Sequence, residues 1–415
     1  MTPRQIHVVG AGLAGLSAAV RLASRGLAVT VHEATNQAGG RCRSYYDSTL
    51  GMEIDNGNHL VLSGNKAALS YLDLIGARAG LTAPPSASFP FIDLATGERW
   101  TLRANDGIVP WWILDPARRV PGTRLREYLA LAKLLRPKAG ATIGEAISCS
   151  GPLYARLIEP LLMSALNTEP QNGSAALAAA IIRETLAAGG RNYRPLIARN
   201  GLSNVFVAPA LEYITGHGGS VNYGRRLRRL ALGADRVSAL EFGDTSIRLT
   251  SSDAIVLAVP PTVAESLVPE LPTPTESRAI VNAHFRIDPP AGLAPMIGVV
   301  NGMTQWLFAF PGRLSVTISA ADDLLELSRE DLAQQIWREV AIIANLADTM
   351  PGWQIVRERR ATFAAVPREE AKRPGAETAW QNLVLAGDWT RTGLPATIEG
   401  AIRSGAKAAG ILAPQ

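Results

Sequence analysis

Apolar residues near the start of the chain change their spacing twice, in the order strand, helix, strand. Residues 6–9 form a short apolar run, apolar positions then recur at helical spacing from Leu16 to Leu22, and residues 27–32 alternate again. Alternation by two is typical of strands, and a spacing of roughly 3.6 residues is typical of helices. Glycines lie at both changes of spacing, so the pattern predicts a βαβ unit that ends at Glu33.

The rest of the pattern predicts a mixed chain of helices and strands. It indicates helices over 66–80, 203–215, 329–346 and 396–411, and helical segments separated by prolines over 107–190. A hairpin is predicted over 81–105 around Ala95-Thr96-Gly97, and three strands over 220–232, 236–242 and 246–257. Further strand-like runs lie within 266–378, and residues 382–386 predict a buried strand just before the last helix.

A chain of 415 residues is too long for one compact core, so we expect two domains. The predicted fold class is α/β, with a Rossmann-like nucleotide-binding domain and a mixed α+β substrate domain. We assign the nucleotide-binding domain, which is discontinuous, to residues 1–80, 200–265 and 380–415. The substrate domain takes residues 81–199 and 266–379.

The turn after the first strand has the spacing of a dinucleotide-binding motif. Gly10 permits a tight turn, Gly12 lets the backbone approach a pyrophosphate, and Gly15 lets helix and strand pack closely. The helix begins near Leu13 and Ala14, and its free N–H groups and positive dipole end attract an anion. Glu33 follows Gly15 by 18 residues, where a carboxylate can bind a ribose hydroxyl. A glycine-rich packing turn is the alternative, but it does not require this acid.

A second glycine-rich segment lies close enough to fold back over the same pyrophosphate. Gly39 and Gly40 leave room for it, and Arg41 supplies a fixed cation that suits a phosphate group. The alternative is a flexible loop with a solvated arginine.

The C-terminal segment repeats this arrangement of strand, glycine, acid and helix. A buried strand leads into Gly387 and Asp388, and a helix starts at Ala396, Thr397 and Ile398. We expect Asp388 on the ribityl or pyrophosphate side of a flavin nucleotide. The N–H groups at the helix start face the pyrimidine edge of the flavin, where the reduced ring carries negative charge. An ordinary terminal strand–helix unit is the alternative.

Composition narrows the range of partners. Charged residues make up 19%, below the usual quarter, which indicates extensive apolar surface or an apolar cavity. The net charge of 41 − 36 = +5 suits nucleic acid or anionic lipid, but no nucleic-acid motif occurs, so we predict no nucleic-acid partner. Two cysteines without a Cys-x-x-Cys motif fit a reducing compartment, so we expect a cytoplasmic protein, and we assign no metal site.

Residues 108–138 form a candidate membrane-docking segment. Trp111 and Trp112 are adjacent, and seven cationic residues follow them within the segment. Tryptophan beside many cations is typical of membrane-interface segments, whereas the alternative is a core helix with a solvated basic face. No uncharged apolar stretch is long enough to span a bilayer, so the expected position is peripheral, on the inner face of the cell membrane.

The glycine-rich blocks together resemble the flavin-containing amine oxidase and phytoene desaturase superfamily, over both ends and residues 201–261. This resemblance implies FAD as the cofactor, and implies that the backbone of Leu227 meets the adenine. Neither cysteine lies in the C-terminal segment, so we expect noncovalent FAD. Residues 55–60, which include Gly57, Asn58 and His59, and residues 385–401 are similar to the bacterial hydroxysqualene dehydroxylase family. We place Gly57, Asn58 and His59 among the cofactor-binding residues.

The family resemblance implies a reaction in squalene and hopanoid biosynthesis. Reduced FAD gives a hydride to an allylic cation formed from hydroxysqualene, a C30 isoprenoid, and the products are squalene and water. A carotene or phytoene desaturase or isomerase is the first alternative, and a non-catalytic flavoprotein scaffold is another. A flavin amine oxidase fits less well because no lysine lies between residues 138 and 372. The resemblance does not identify the electron donor to FAD.

Two residues are candidates for catalysis of this reaction. His59 is the candidate proton donor to the leaving hydroxyl, and its alternative is a structural histidine that holds its loop. Trp389 is the candidate for lining the flavin and stabilising positive charge through its ring, and its alternative is plain packing.

Overall fold

The computed structural model describes residues 4–243 and 245–414. Its helices, in chain order, are α1 Leu13–Ala23, α2 Lys66–Leu74, α3 Leu129–Leu134, α4 Ile143–Ala146, α5 Glu159–Leu166, α6 Ala175–Glu184, α7 Ala208–Gly216, α8 Pro261–Leu267, α9 Arg329–Ala344, α10 Pro367–Ala371 and α11 Ile398–Leu412.

The first ten strands are β1 Gln5–Val9, β2 Ala28–His32, β3 Ser44–Asp47, β4 Met52–Asp55, β5 Val61–Leu62, β6 Leu81–Thr82, β7 Ser88–Asp93, β8 Arg99–Arg103, β9 Pro195–Ala198 and β10 Ser220–Asn222. The others are β11 Arg229–Leu232, β12 Val237–Glu241, β13 Ser246–Arg248, β14 Ala254–Leu257, β15 Ser277–Phe285, β16 Met296–Val300, β17 Trp306–Phe310, β18 Arg313–Ser319, β19 Trp353–Phe363 and β20 Leu383–Leu385.

Five parallel strands form the nucleotide-binding sheet, in the order β10-β2-β1-β14-β20. Numbered along the chain, this is the Rossmann order 3-2-1-4-5, in which ligands bind outside the carboxyl ends of the strands. β1, β14 and β20 are almost wholly buried because α1 and α11 cover one face of the sheet and the sheet that contains β11 and β12 covers the other. Parallel strands covered on both faces read as continuous apolar runs, which explains the pattern that the sequence shows at 6–9 and 254–257.

A seven-stranded mixed sheet forms the second large layer, in the order β19-β15-β18-β17-β16-β7-β8. The amphipathic helix α9 packs on one face through Leu332, Ile336, Trp337 and Val340, against Val281 and other strand residues. The opposite face of β15 and β18 carries polar side chains, because side chains alternate between the faces of a strand.

The local structure follows the predicted pattern in most places and departs from it in two. The prediction of one strand over 246–257 is wrong, because β13 ends at Arg248 and β14 begins at Ala254 in a different sheet. The predicted hairpin over 81–105 is present as β7 and β8, with the turn at 94–98. The prediction of one strand over 220–232 is wrong, because β10 ends at Asn222 and β11 begins at Arg229. The chain leaves the parallel sheet there: Gly224 N donates to Thr35 O at 3.0 Å, and Arg225 N donates to Glu33 O at 2.7 Å. Leu227 lies in this crossing.

The strands of the parallel sheet all come from the three segments that we assigned to the nucleotide-binding domain. The domain boundaries stay a prediction. The small sheet β5-β9-β6 joins residues 61–62 with residues 81–82 and 195–198, so it crosses the boundary drawn at 80/81.

Candidate functional site

The glycine turn after β1 lies where the carboxyl ends of three strands meet. Gly10 has φ +103°, and a Cβ there would overlap the Ala258 carbonyl oxygen after β14. A Cβ at Gly15 would overlap the Gly10 carbonyl oxygen, so this residue closes the helix onto the turn. A Cβ at Gly12 would meet no atom within 4 Å. Two glycines are therefore required by packing, and Gly12 faces open space.

Helix α1 begins beside this open space without a cap. Gly12 is its N-cap residue, offers no side-chain hydrogen bond, and is followed by no acidic residue in the first turn. The N–H groups of Leu13, Ala14 and Gly15 have no hydrogen-bond partner among the described residues. Unpaired N–H groups at the positive end of a helix form an anion site.

The segment at 39–41 folds back over this turn. Gly39 N donates to Ala11 O at 2.8 Å, and Gly39 forms a bridge with Gly12. A Cβ on Gly40, which has φ +58°, would lie 3.4 Å from the Gly12 Cα. Arg41 then reaches Asp388 at 2.7 Å and also bonds the Ala361 carbonyl. The structure thus joins Arg41 and Asp388, from opposite ends of the chain, in one ion pair.

Glu33 and Leu227 lie at the edge of the site beyond β2. The Glu33 carboxylate accepts hydrogen bonds from Ala11 N and Thr35 N, both at 2.9 Å, so it is held beside the glycine turn. The Leu227 side chain is buried. Its backbone N–H and C=O make no hydrogen bond within the described ranges 4–243 and 245–414. These free groups are available to a ligand at this edge.

The C-terminal residues complete the site from the far side of the sheet. Gly387 follows β20, and its N–H donates to Ser404 Oγ of α11 at 2.8 Å. Thr397 caps α11 by accepting from Gly400 N at 3.0 Å, whereas the N–H of Ile398 has no partner in the part of the chain that the structure describes. Ala396 and Ile398 therefore lie at an incompletely capped helix start, and an end of this kind attracts negative charge.

The loop 57–59 lies between this site and the polar face of the seven-stranded sheet. Asn282 and Thr317 are paired across β15 and β18, and Thr317 Oγ1 donates to Asn282 Oδ1 at 2.7 Å. Asn58 Nδ2 donates to Thr317 Oγ1 at 3.0 Å, and a Cβ at Gly57 would lie 3.0 Å from Asn282 Nδ2. The buried Oδ1 of Asn58 has no partner among the described residues. A polar atom of this kind favours a bound group beside it.

His59 lies beside two charged residues, Arg41 and Asp55. Burial lowers its pKa below the usual 6.5, and the positive charge of Arg41 lowers it too. The carboxylate of Asp55 and a hydrogen bond to the Arg41 backbone raise it in part. The imidazole is therefore mostly neutral at pH 7, and a proton donated by it would come from a minor protonated fraction.

Trp389 is packed into the protein core. Its side chain is only 2% exposed, and its Nε1 donates to the Val259 carbonyl oxygen at 2.9 Å. A Cβ at Gly387 would overlap its ring. These contacts favour plain packing, the alternative stated above for this residue, over direct contact with a substrate cation.

Arg373 is a residue of the site that the sequence pattern did not indicate. Its guanidinium is fully buried and donates to the carbonyl oxygens of Asp388 at 3.0 Å and Thr390 at 2.5 Å, and to Thr392 Oγ1 at 2.9 Å. It also pairs with Glu370 at 2.5 Å. Nothing near residue 373 in the sequence has a motif spacing. The signal for Asn282 is stronger, since Asn282 and His284 lie two apart on one face of a strand whose other residues from Ala279 onward are apolar.

The residues present fit FAD. The open space above Gly12, the uncapped start of α1 and the free backbone of Leu227 lie beyond the carboxyl ends of the parallel strands, and the unpartnered Asn58 oxygen lies in the loop next to His59. A dinucleotide needs an anion site and polar partners of this kind.

Comparison with known proteins agrees with this geometry. The family model described as flavin containing amine oxidoreductase matches residues 13–413. A hydroxysqualene dehydroxylase of Rhodopseudomonas palustris is 55% identical over 99% of this chain and 98% of its own, and one of Sinorhizobium fredii is 54% identical over 98% of both. Among solved structures, cyclohexylamine oxidase from Brevibacterium oxydans superposes with a TM-score of 0.70 at 17% identity, over 99% of this chain and 98% of its own. The chain therefore belongs to the flavin-containing amine oxidoreductases and, among them, to the family of the hydroxysqualene dehydroxylases.

Proposed function

We propose that this protein is an FAD-dependent oxidoreductase that removes the hydroxyl group of hydroxysqualene and releases squalene and water. The observation that carries the proposal is the similarity to hydroxysqualene dehydroxylases along the full length, at more than half of all positions. Similarity of this extent includes the substrate domain as well as the nucleotide-binding sheet.

The cofactor is FAD, and several residues of the site would hold it. The N–H groups that follow Gly12 would bind the pyrophosphate, Glu33 the ribose, and the backbone of Leu227 the adenine. The start of α11 would face the flavin ring. Cys42 is buried and Cys149 is distant in sequence from the C-terminal segment, which supports noncovalent binding. Bound FAD, once reduced, supplies the hydride that replaces the hydroxyl group.

The chain itself has three tasks in this reaction. It must deliver a proton to the departing hydroxyl oxygen, keep water from the reacting carbon, and hold the substrate against the cofactor. We keep His59 as the proposed proton donor, because its ring lies beside Arg41, which pairs with Asp388 in the candidate cofactor site. Asn58, held by Thr317, supports the loop that carries His59. Trp389, in the loop between β20 and α11, contributes packing, and its Nε1 donates to the Val259 carbonyl oxygen.

We propose that the protein acts in the cytoplasm, at the inner face of the cell membrane. A C30 hydrocarbon partitions into a bilayer rather than into water, so an enzyme that binds it gains by working at the membrane surface. No helix within the described residues is long and apolar enough to cross a bilayer.

Product analysis with three substrates tests the proposed function against its alternatives. Purified protein with reduced FAD is given hydroxysqualene, and oxidised protein is given phytoene or a primary amine in parallel reactions. Squalene from the first reaction alone supports the proposal. Conversion of phytoene would support the desaturase alternative, and conversion of the amine would support an amine oxidase. Bound flavin with no product from any substrate would support the scaffold alternative.

A further inference from the structure

Exposed apolar side chains are concentrated in one segment of the substrate domain. The described part of the chain exposes ten large apolar side chains, and six of them lie between residues 108 and 129. These six residues, named here the apolar cluster, are Ile108, Val109, Trp111, Leu114, Leu125 and Leu129, and their exposed fractions run from 46% to 73%. A concentration of this kind marks an interaction surface.

The apolar cluster is held outward by a folded segment. Asn105 Nδ2 donates to the carbonyl oxygen of Val109 at 2.9 Å, and Trp112 N donates to Asn105 Oδ1 at 3.3 Å. Trp112 is buried and packs edge-on against Tyr128, with ring centroids 5.7 Å apart. Tyr128 in turn accepts a hydrogen bond from Val120 N at 3.1 Å. Since one tryptophan of the pair anchors the segment, the exposure of the other is built into the fold.

Positive charge surrounds the apolar cluster. Residues 108–138 contain seven arginines and lysines and two acidic residues, so their net charge is 7 − 2 = +5, equal to that of the whole chain. The exposed cations are Arg124, Arg126, Lys133, Arg136 and Lys138, and none of them forms an ion pair with any described residue. The guanidinium of Arg118 lies 4.5 Å from the ring centre of Trp111.

A basic hollow adjoins the apolar cluster where α3 ends. It has a volume of about 590 Å³, and its charged lining residues are Lys133, Arg136, Lys138 and Glu145. The hollow has three cations and one acid, so it suits a phosphate group. It lies at the end of α3, the helix that begins with Leu129.

We propose that residues 108–138 are a docking surface for a bilayer that contains anionic phospholipid. The apolar cluster enters the interfacial region, the surrounding cations bind phosphate head groups, and the hollow takes one of them. This proposal rests on the proposed function in one respect: docking would give the protein access to a substrate that is dissolved in the bilayer. A second copy of this chain is the less favoured partner, because a symmetric pair would bring two surfaces of charge +5 face to face.

Vesicle co-sedimentation of the full-length protein tests the docking surface. Vesicles of phosphatidylcholine alone are compared with vesicles of phosphatidylcholine and phosphatidylglycerol in equal parts, at low and high salt. The apolar variant carries Trp111→Ser and Leu114→Ser, and the charge variant carries Arg124→Gln and Arg126→Gln. Ile342→Ser and Arg338→Gln on α9 are matched controls, because Ile342 is 63% exposed and Arg338 is exposed outside the docking surface.

We expect tight binding to the anionic vesicles that weakens at high salt. Each docking variant should bind the anionic vesicles at least about tenfold more weakly than the parent protein does. Each control should bind them as tightly as the parent protein. Brominated lipid should quench tryptophan emission of the parent protein, and Trp111→Phe should lose part of that quenching while still binding. Equal binding of parent and docking variants would overturn the proposal, as would no binding by the parent. A parent dimer that the apolar variant converts to monomer, without vesicle binding, would assign the surface to a second copy.

Turnover of hydroxysqualene in detergent micelles separates this proposal from the proposed function. The docking variants should convert micellar substrate at the parent rate, because micelles replace the bilayer as its source. If the parent binds anionic vesicles but converts no micellar substrate, the proposed function fails and the docking surface stands.

Discussion

At the scale of single residues, the three glycines of the first turn have different roles. Gly10 and Gly15 are required by the fold, since a side chain at either would overlap backbone atoms of the protein. A Cβ at Gly12 would have no neighbour within 4 Å among the described residues, so the fold does not require glycine there, whereas a pyrophosphate bound at the start of α1 would. This difference lets the cofactor site be tested separately from the fold.

Gly12→Ala should therefore give a folded protein that lacks flavin. The added methyl group occupies the space of the pyrophosphate without touching protein, so we expect FAD content to fall about tenfold or more, with a thermal midpoint close to that of the parent protein freed of FAD. Flavin absorbance and circular dichroism measure the two quantities. Gly15→Ala is the matched control, and it should impair folding itself. A Gly12→Ala protein with full FAD content would contradict the assignment.

The pH dependence of turnover tests the role of His59. Its pKa is lowered mainly by burial, so the protonated fraction is small at pH 7 and grows as the pH falls. If His59 is the proton donor, kcat/KM for hydroxysqualene should rise about tenfold per pH unit below 7 until the lowered pKa is reached. The His59→Gln variant should lose both rate and this slope. A parent profile that is flat on the acid side would assign the proton to another group.

What the sequence could predict at this scale depends on how local the cause is. The role of Gly15 is set by Gly10 in the same turn, and Gly10 has a positive φ that the turn itself requires, so their spacing alone identified both glycines. The contact of Gly10 with Ala258 arises only when β14 pairs with β1. Arg373 acts on residues 388–392, and Asn282 acts on residues 56–58, through contacts between segments that meet only in the folded chain. The pairing of Arg41 with Asp388 spans 347 positions and could not be read from either segment alone.

At the scale of elements, the two helices of the cofactor site are packed against each other. A Cβ at Gly405 of α11 would overlap the Ala14 carbonyl oxygen of α1, and Ser17 Oγ donates to the Ile402 carbonyl oxygen at 2.8 Å. Glu399 at the start of α11 accepts from Ala68 N at 2.8 Å and so caps α2. The N-terminal and C-terminal motifs are thus fixed to each other by helix packing.

Gly405→Ala should separate these helices, and Gly410→Ala on the same helix should not. We expect the first change to lower the free energy of unfolding by about 2–3 kcal/mol and to reduce FAD content, because the clash is with backbone. Gly410 has open space around a Cβ, so alanine there should raise stability by up to about 1 kcal/mol through helix propensity. Denaturant unfolding of both variants gives the comparison. Equal stabilities would contradict the packing described for α1 and α11.

The buried side chain of Arg373 donates hydrogen bonds to the loop between β20 and α11. Arg373→Met leaves the carbonyl oxygens of Asp388 and Thr390 without their donor, so we expect a loss of about 3 kcal/mol or more and weaker FAD retention. Arg368→Met is the control, because Arg368 is 65% exposed in its pair with Glu276 and should change stability by less than about 1 kcal/mol. Denaturant unfolding and flavin content measure both effects, and similar losses in the two variants would remove the special role of Arg373.

At the scale of the whole molecule, two layers meet at one site. The parallel sheet supplies its carboxyl edge, and the seven-stranded sheet supplies a polar face that contacts the loop 57–59. The sequence predicted β1, β2 and β20 of the parallel sheet well, because each is a short strand-like run next to a glycine, but it did not separate β10 from β11 or β14 from β13. The sequence did not predict that β7 and β8 belong to the same sheet as the five strands from β15 to β19. The pairing of β7 with β16 links residues that are about two hundred positions apart.

The most direct test of this account is an anaerobic single turnover. The flavin of the purified protein is reduced with dithionite, the excess is removed, and hydroxysqualene is added while the flavin absorbance and the lipid products are followed. We predict that the flavin is reoxidised and that squalene appears in equal molar amount. A flavin that stays reduced in the presence of hydroxysqualene, with no squalene formed, would contradict the account.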